Sequence, residues 1–560
     1  MQDARGRIHG PPYLMLSILL MLTQNAFSDD SIINRIEAMQ AGYPVTVHDA
    51  PLYAQEALTK FYEARNYESA WHSRAAQDEL VRAISEIADE GLNPADYHQK
   101  TLQAISQTSS DDSEPELQAD IDLVFSDAFL ILASHLLEGK VNPQTIHAEW
   151  TANRREREVH IILSDALQSG SVYQTLQSLK PPAPAYQRLI SYRRQLSELL
   201  GRPWPLNEPG VTIRPGDTDP RLPAIREQLI LLGDLPMADN DTLQESGENP
   251  TDHLYAGNLI QAIPAFQARH GLDPDGIIGR KTLAALNLMP IERIRQIDAN
   301  LERWRWLPDS LGDTYVLVNI AGFEMIMVEN GEEVLRQRVI VGGPFRQTPV
   351  FSDRIRYLVF NPTWTVPRKL MIEDQLPLIQ SDPGYLERLN FKVYQGWGAD
   401  RVEIDPAEVD WAGLSANNFP YQLVQQPGRS NALGQVKFMF PNQYEVYLHD
   451  TPGQYLFNRI ERTLSSGCIR IERPFELAER LLAGNSDWDR NRIEQAIDQE
   501  EPANAVLENP VPVHLQYWTV WVDSAGRLQI RSDIYGRDRR LIDALRSDSE
   551  GNLQLTPRSQ

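Results

Sequence analysis

The stretch LSSGCIR at residues 464–470 contains Cys468, the only cysteine among the 560 residues of the chain. A lone cysteine cannot form a disulfide within its own chain, so it is either a buried bystander or a thiol kept for chemistry. Gly467, directly before it, lets the backbone approach a bound group closely, as an oxyanion hole requires. Arg470, two residues further on, is suited to binding a carboxylate. This context favours a reactive thiol.

A histidine lies 19 residues upstream, in the stretch YLHDTP at residues 447–452. Because a free thiol ionises mainly above neutral pH, a nucleophilic cysteine needs a nearby imidazole, and His449 is the candidate. A third group must orient the imidazole, either a carboxylate such as Asp450 or a backbone carbonyl. Papain-like peptidases have the reverse order of Cys before His, and sortases have a longer gap between the two residues.

The chain around these residues has the pattern of β-strands. From Tyr315 apolar and β-branched residues alternate, and Asn330-Gly331 is a strong hairpin signal. We therefore predict a mostly-β catalytic domain at residues 312–540. Its segment 378–432 is rich in Pro, Gly, Asn and Gln, which indicates an inserted cap near the active site. Residues 547–560 are expected to form a polar tail.

The first half of the chain is predicted to be mainly helical. Residues 30–205 have apolar residues at spacings of three and four, which is typical of a helical scaffold or a partner surface. The apolar stretch Leu123–Leu137 contains Asp127 and His135, so it is interpreted as a buried helix rather than a membrane span.

A second unit is predicted at residues 214–290, where two apolar helix faces flank a polar loop at 239–252. Its stretch GLDPDGIIGRKTLAALN, residues 271–287, is not a calcium loop, because Ala284 stands where the twelfth-position Glu is required. The chain has no HExxH motif, and one cysteine cannot build a thiolate site, so no metal site and no cofactor are predicted.

Charge and the N-terminus bear on partners and location. The net charge of −24 argues against nucleic acid or an anionic membrane as the main partner. Residues 1–28 have the pattern of a signal peptide: basic residues, an apolar stretch at 13–22 and small residues ending at Ser28. We expect export to the periplasm and no membrane span after cleavage, with an uncleaved anchor as the alternative.

The combination of His449 and Cys468 resembles the L,D-transpeptidase (YkuD-type) catalytic domain. In that family a histidine is followed, after a similar gap, by Ser/Thr-His-Gly-Cys-x-Asn. Here Ser466 replaces the motif histidine and Arg470 replaces the asparagine, and both departures fit the YcbB-type branch. NPTWTVP at residues 361–367 is a further match. The unit at 214–290 is similar to the three-helix peptidoglycan-binding module.

The resemblance implies a role for individual residues. Cys468 would be the nucleophile, His449 the general base and acid, and the backbone at Gly467 part of the oxyanion hole. The residues implied to bind substrate are Arg470, Tyr447, Ser466 and Trp364. A structural ion pair is the alternative for Arg470, and packing alone is the alternative for Tyr447.

The resemblance also implies a fold and a function. The expected fold is multidomain α+β, with a helical scaffold, a peptidoglycan-binding module and a mostly-β catalytic domain with an inserted cap. The expected activity is a crosslink between the diamino acids of two peptidoglycan stems, and carbapenems would acylate Cys468. Partners would be stem peptides, glycan and, through the scaffold, other cell-wall enzymes. Alternatives are an L,D-carboxypeptidase, a lipoprotein-anchoring transpeptidase and a non-catalytic wall-binding protein.

Overall fold

The computed structural model describes residues 26–47, 50–107, 115–147, 150–151, 155–236, 253–382, 384–396, 398–499 and 501–547. Three of the predicted segments therefore lie largely or wholly outside the described residues: the leader at 1–28, of which only 26–28 are described, the polar loop at 239–252, and the tail at 547–560 beyond Ser547. The predicted domain boundaries at 30–205, 214–290 and 312–540 stay predictions.

The N-terminal region is built from helices that pack around one long buried helix. Its helices are Ala26–Gln40 (α1), Gln55–Ala64 (α2), Arg74–Glu86 (α3), Gln99–Gln107 (α4), Pro115–Glu138 (α5), Pro143–Ile146 (α6), Val159–Ser169 (α7), Val172–Ser178 (α8) and Pro184–Ser197 (α9). Short strands lie at Thr46–Val47 (β1), Ala50–Pro51 (β2) and Trp150–Thr151 (β3), and 3-10 turns at Ile87–Glu90 and Pro94–Tyr97.

Helix α5 contains the apolar stretch that the sequence analysis assigned to a buried helix, and this is confirmed. Its Asp122 accepts hydrogen bonds from the backbone N–H groups of Ala70 and Trp71. Its Asp127 accepts them from the backbone N–H groups of Tyr53 and Ala54, the latter at 2.7 Å. The two buried carboxylates thus fix neighbouring loops to the helix. Among the described residues, no helix has the length and apolar character of a membrane span.

Three helices form the second unit: Leu222–Leu231 (α10), Leu259–Arg269 (α11) and Arg280–Leu286 (α12). Their apolar faces share one core that includes Ile225, Ile263 and Leu283. Gln267 on α11 ties the glycine-rich turn to the helices, since its amide accepts from Gly276 N–H at 2.9 Å and donates to the Ile277 carbonyl at 3.0 Å.

Helix Pro290–Arg305 (α13) connects the second unit to the mostly-β part of the chain. It packs against α9 of the helical region and carries fully buried charges. Glu302 pairs with Arg305 at 2.7 Å, and Arg303 pairs with Asp538 at 2.6 Å. These three buried charges are tolerated because each has a partner of opposite sign.

The part of the chain predicted to be catalytic is a β-barrel. Its strands are Thr314–Asn319 (β4), Glu324–Glu329 (β5), Glu332–Gly342 (β6), Val350–Phe360 (β7), Val436–Met439 (β12), Leu448–His449 (β13), Thr463–Ser465 (β14), Ile469–Ile471 (β15) and Ala503–Gln516 (β16). Within the described residues, eight of them pair in the order β12-β13-β15-β6-β5-β4-β16-β7, and β7 pairs again with β12. The pairings therefore close, and β14 and β3 add to β6 and β7 at the rim.

An inserted cap lies between β7 and β12. It contains the strands Trp364–Thr365 (β8), Phe391–Gln395 (β9), Val402–Ile404 (β10) and Tyr421–Gln425 (β11), the helices Arg368–Leu370 (α14), Leu376–Ser381 (α15) and Tyr385–Arg388 (α16), and a π-helical turn at Met371–Gln375. Its four strands pair in the order β10-β9-β11-β8 and cover a core of their own. The cap begins at Trp364, upstream of the predicted start at residue 378.

The remaining elements cover the barrel. They are the helices Pro474–Leu481 (α17), Arg490–Asp498 (α18) and Arg537–Arg546 (α19), and the hairpin Val520–Val522 (β17) and Leu528–Ile530 (β18). Leu477 and Leu541 on the helices join the barrel core. Helices come first along the chain and a mostly-β part follows, so the predicted multidomain α+β fold is confirmed.

Candidate active site

Two adjacent parallel strands bring the histidine close to the cysteine. β13 pairs with β15 so that Leu448 lies opposite Ile469 and His449 lies opposite Arg470. Leu448 and Ile469 are fully buried in the barrel core. Because successive residues of a strand point to opposite faces, His449 and Arg470 lie on the outer face of the barrel. Cys468, two residues before Arg470, lies on the same outer face and is a diagonal neighbour of His449.

Hydrogen bonds fix the shape of the loop that carries the cysteine. The Ser465 hydroxyl donates to the Cys468 carbonyl oxygen at 2.5 Å and accepts from the Gly467 N–H at 3.2 Å. The Thr348 hydroxyl donates to the Gly467 carbonyl oxygen at 2.8 Å and accepts from the Gly342 N–H at 2.9 Å. The neighbouring β6–β7 connection therefore helps to hold the cysteine in place.

Gly467 is needed for its backbone conformation. Its φ of +118° is one that residues with a side chain rarely adopt. Its N–H donates to Ser465, so a substrate oxygen would have to replace that hydroxyl as the acceptor. The role of the Gly467 backbone in an oxyanion hole therefore stays a prediction.

The thiol of Cys468 is half-buried, and its Sγ lies 3.8 Å from the carbonyl oxygen of Glu445. Burial raises the pKa of this thiol, while hydrogen bonds from Tyr447 and the charge of Arg470 act in the opposite direction. The thiol is therefore mainly protonated at neutral pH, and it needs a base before it can act as a nucleophile.

His449 has the tautomer that a base requires. Its Nδ1 lies 2.6 Å from the carbonyl oxygen of Asp450, and a carbonyl only accepts, so Nδ1 carries the proton. Burial, followed by the charge of Arg470, lowers the pKa of His449 to about 3. The ring, to which the backbone of Leu433 also hydrogen-bonds, is thus neutral at neutral pH, and Nε2 is the nitrogen that can accept a proton. Among the described residues, the ring and the thiol of Cys468 are not hydrogen-bonded to each other.

The structure decides which group orients the imidazole. The backbone carbonyl of Asp450 does so, and the Asp450 carboxylate turns elsewhere, accepting from Gln435 N–H at 2.9 Å and Gln454 Nε2 at 3.1 Å. A Cβ on Gly434 would lie 2.3 Å from that carboxylate, so only glycine leaves room for it. Of the two orienting groups left open by the sequence, the backbone carbonyl is the one observed.

Tyr447 belongs to the site. Its ring centre lies 5.7 Å from that of His449 at an angle of 65°, and its hydroxyl hydrogen-bonds to Cys468. Burial raises the pKa of Tyr447 well above its ordinary value, so the hydroxyl stays protonated and can donate to the sulfur. Tyr447 therefore contacts the nucleophile and does more than pack.

Lys437 was missed by the sequence analysis. β12 pairs with β13 so that Lys437 lies opposite His449, which in turn lies opposite Arg470. The three basic side chains thus form one row across three strands, and we call them the basic row. Lys437 Nζ lies 5.7 Å from the centre of the Tyr447 ring. The available signal was the alternation in VKFMF at residues 436–440, which points Lys437 away from the core.

Neither cation that flanks His449 has a carboxylate partner in the described part of the chain. Burial lowers the pKa of Lys437 and of Arg470, and the charge that counteracts this in both cases is the Cys468 thiolate. The Nε–H of Arg470 is buried and donates to no acceptor among the described residues. The structural ion pair considered as the alternative for Arg470 is therefore not observed.

Ser466 connects the cysteine loop to the cap. Its hydroxyl accepts from the Arg346 guanidinium at 3.0 Å. The same guanidinium pairs with Asp374 at 2.6 Å and with Glu373 at 2.7 Å, both in the π-helical turn of the cap. Ser466 thus lies where the cap, the β6–β7 connection and the cysteine loop meet.

Trp364 lies in the cap. It pairs with Gln425 in the cap sheet, and its ring centre lies 6.2 Å from that of Phe391 in the cap core. Its predicted contact with substrate stays a prediction. In the described residues, no group of three or more His, Cys, Asp or Glu side chains is arranged to hold a metal ion.

Three family models match consecutive parts of the chain. Residues 56–192 match a scaffold domain, and residues 219–286 match a domain described as "Putative peptidoglycan binding domain". Residues 313–493, which include His449 and Cys468, match the L,D-transpeptidase catalytic domain.

Curated relatives are similar to parts of the chain. A Haemophilus influenzae protein named "Putative L,D-transpeptidase" is 36% identical over 296 residues, which cover 53% of this chain and 54% of the relative. The N-acetylmuramoyl-L-alanine amidase CwlM of Mycobacterium tuberculosis is 38% identical over 84 residues, 15% of this chain and 20% of its own length. The chain thus spans about half or less of the length of these relatives.

Solved structures give weaker similarities. An L,D-transpeptidase from Xylanimonas cellulosilytica is 15% identical, with 55% of this chain and all of that chain covered and a TM-score of 0.17. One from Mycobacterium smegmatis is 11% identical, with 36% of this chain and 58% of that chain covered and the same TM-score. At these TM-scores the solved structures do not support an assignment, which depends on the family matches alone. Residues 313–493 are an L,D-transpeptidase catalytic domain of the YkuD family, carried on one chain with a peptidoglycan-binding domain at residues 219–286.

Proposed function

We propose that this chain is a peptidoglycan L,D-transpeptidase with Cys468 as its nucleophile. One observation carries the proposal: Cys468 and a neutral His449, whose proton lies on Nδ1, are diagonal neighbours on the outer face of the barrel. This arrangement supplies a thiol and a base for acyl transfer. It lies inside the region that matches the L,D-transpeptidase catalytic domain.

The first half of the reaction forms a thioester. Sγ of Cys468 attacks the carbonyl carbon of the diamino acid in a tetrapeptide stem, while His449 Nε2 accepts the thiol proton. The tetrahedral intermediate then collapses and the peptide bond to the terminal D-alanine breaks. His449 returns its proton to the leaving amine, and D-alanine departs.

The second half transfers the acyl group to an acceptor. The side-chain amine of a second stem attacks the thioester carbonyl, and His449 takes a proton from that amine. The C–S bond breaks, and the proton returns to the sulfur as the thiol is regenerated. The product is an amide bond between the diamino acids of two stems, and the two steps require no cofactor.

The remaining predicted residues act in binding. Arg470 has no carboxylate partner in the described residues, so it is available for a carboxylate of the substrate. Tyr447 and Ser466 flank the cysteine loop, and Trp364 would contact the stem from the cap. The module at residues 219–286 would hold the glycan or the stems near the barrel. Partner enzymes on the helical scaffold, the YcbB-type branch and export to the periplasm are parts of the same proposal.

Product analysis tests the proposal directly. Mature protein is incubated with purified tetrapeptide-stem muropeptides, and the products are identified by mass spectrometry. Dimers linked between the two diamino acids are expected, and Cys468→Ala and His449→Gln should abolish them. The exposed His72 provides the control, since His72→Gln should leave the yield unchanged. Full activity of Cys468→Ala would overturn the proposal.

The same assay separates the alternatives. Tripeptide stems alone would identify water as the acceptor and the protein as an L,D-carboxypeptidase. Transfer to a lysine of a lipoprotein peptide would identify an anchoring enzyme. Binding to peptidoglycan sacculi without any product would indicate a wall-binding protein. A carbapenem should add its mass once to the intact chain, and no addition after incubation with excess drug would count against Cys468 as the nucleophile.

Location is tested separately. Fractionation of cells that make the full chain should place the protein in the periplasm, with a mass that corresponds to cleavage after Ser28. A full-length protein in the membrane fraction would support the uncleaved anchor.

A further inference from the structure

Two cations and one carboxylate, that of Glu445, lie near the cysteine, so positive charge is in excess there. Lys437 on β12 and Arg470 on β15 lie on either side of His449 in the basic row. Cys468 and Tyr447 lie one pleat away on the same face of the barrel. The charged or titratable groups that face the thiol are the other four of these side chains and Glu445, whose carbonyl oxygen is 3.8 Å from Sγ. They are listed by strand as Lys437 on β12, Glu445 before β13, Tyr447 and His449 on β13, and Arg470 on β15.

The imidazole cannot supply lasting positive charge to the sulfur. His449 is buried between two cations, and a proton on its ring would add a third positive charge to the row. An imidazolium–thiolate pair of the kind that many cysteine enzymes use is therefore disfavoured here at rest. A thiolate faces the opposite situation, because each flanking cation attracts it.

Lys437 acts through a defined geometry. Its Nζ lies 5.7 Å from the centre of the Tyr447 ring, and the Tyr447 hydroxyl hydrogen-bonds to Cys468. The lysine thus lies on the β12 side of the tyrosine that borders the sulfur, and Arg470 lies two residues from Cys468 along β15. In the described residues neither cation has a carboxylate that would neutralise it. A half-buried cation without such a partner is costly, which indicates that its charge is used for function.

We propose that Lys437 is a positioning residue whose positive charge, together with that of Arg470, stabilises the Cys468 thiolate. The lysine acts on the sulfur through space and does not contact the substrate. His449 then only transfers the proton from the sulfur and back, and its ring stays neutral in the resting state. The inference rests on the proposed nucleophilic role of Cys468, and it is independent of the substrate and the acceptor.

The single cysteine makes a direct test possible. The rate of alkylation by iodoacetamide, followed as one mass addition to the intact chain, reports the thiolate fraction of Cys468 alone. The rate is measured from pH 5 to pH 10 for the full chain and for Lys437→Met. The midpoint is the pH at which the alkylation rate reaches half of its maximum. We expect this midpoint to be about one pH unit higher in Lys437→Met than in the unmodified chain, which is the size of effect that a nearby opposite charge produces. At a pH below both midpoints, alkylation should be about tenfold slower.

Matched variants separate charge from structure. Lys437→Arg keeps the charge and should restore the midpoint to within about 0.3 units, whereas a purely structural role of the lysine would not be rescued in this way. Lys60→Met, which removes an exposed lysine paired with Glu56 on a distant helix, should leave the midpoint unchanged. If Lys437→Met does not fold, Lys437→Gln takes its place under the same criterion.

The outcomes are distinct. An unchanged midpoint in Lys437→Met or Lys437→Gln overturns the inference even when the enzyme still forms crosslinks, so the proposed function survives that result. A raised midpoint that Lys437→Arg restores supports the inference even when no crosslinked product is detected. A raised midpoint that Lys437→Arg fails to restore assigns Lys437 a structural role and also overturns the inference.

Discussion

The imidazole Nδ1 of His449 lies 2.6 Å from the backbone carbonyl oxygen of Asp450, the next residue in the chain. The orienting group is therefore a main-chain atom that no side-chain substitution removes. The Asp450 carboxylate faces away from the ring and accepts from Gln435 and Gln454. This arrangement separates the site from catalytic triads, in which a carboxylate fixes the tautomer of the histidine.

Asp450→Asn should consequently keep most of the activity. An asparagine oxygen can still accept from Gln435 N–H, and the loss of one hydrogen bond is expected to cost about 1 kcal/mol of stability. We expect kcat/KM within about tenfold of wild type, measured by crosslink formation, with a slightly lower Tm. His449→Gln should be inactive at an unchanged Tm. A loss of activity in Asp450→Asn as large as in His449→Gln would show that the carboxylate is the orienting group.

The low pKa of His449 predicts an unusual acid limb in the pH profile. Burial and the charge of Arg470 lower this pKa to about 3, so the ring stays neutral as the pH falls through the ordinary histidine value of 6.5. The base is therefore lost only when the pH approaches 3. We expect kcat/KM to be flat between about pH 7 and pH 5, since this ratio reports the free enzyme. A decline with a midpoint near 6.5 would contradict the assigned protonation state.

Gly467 should not tolerate a side chain. Its φ of +118° is rarely adopted by other residues, and strain of this kind is expected to cost about 1–3 kcal/mol. In Gly467→Ala the loop should relax and displace Cys468, and we expect about 10- to 100-fold slower acylation by a carbapenem, measured by mass spectrometry. Gly279→Ala is the control, because Gly279 has a φ of −98° and open space around its Cβ position. Equal rates for both variants would refute the argument.

Arg346 should couple the cap to the cysteine loop. It pairs with Glu373 and Asp374 of the cap and donates to Ser466. In Arg346→Ala we expect hydrogen exchange in residues 371–375 to accelerate several-fold, because the turn loses its anchor. The value of kcat/KM should fall about three- to tenfold, since the cap would cover the site less often.

The control for the cap lies within the cap itself. Arg388→Ala removes a surface ion pair with Asp382 and should change neither exchange in residues 371–375 nor kcat/KM. Unchanged exchange in Arg346→Ala would show that the cap is held by its other contacts with the barrel.

The sequence predicted those site residues that belong to a recognisable motif. It missed the residue that reaches the site only through pairing between distant strands. His449 and Cys468 stand in recognisable stretches, and the alternating pattern predicted the strands around them. Lys437 stands in no motif, and it reaches the site because β12 pairs with β13. Such pairing depends on the closure of the barrel, which a local pattern does not show.

Two further features depended on three-dimensional information. The choice between the carboxylate and the carbonyl of Asp450 depends on the direction of the chain after β13, where the strand ends. The cap was predicted from its Pro- and Gly-rich composition, which does not show that Trp364 and Phe391 build a core within it. Composition indicates that a segment is inserted. Whether that segment folds around a core depends on apolar residues that are spread over about 60 positions.

The glycine-rich turn of the peptidoglycan-binding domain should depend on Gln267. Its buried amide accepts from Gly276 N–H and donates to Asp275, Ile277 and Thr282. Gln267→Leu leaves the Gly276 N–H buried without this acceptor, which is expected to cost about 1–3 kcal/mol. Hydrogen exchange in residues 273–279 should accelerate, and binding to peptidoglycan sacculi should weaken.

The matched control for Gln267 is Gln261→Leu, at an exposed position of the same helix, which should change neither quantity. Alkylation of Cys468 should be the same in both variants, because the turn lies outside the barrel that positions the thiol. Undiminished binding to sacculi by a Gln267→Leu protein whose turn exchanges faster would show that the proposed wall contact of this domain is made elsewhere. Weakened binding together with an unchanged thiol would assign substrate capture and catalysis to separate parts of the chain.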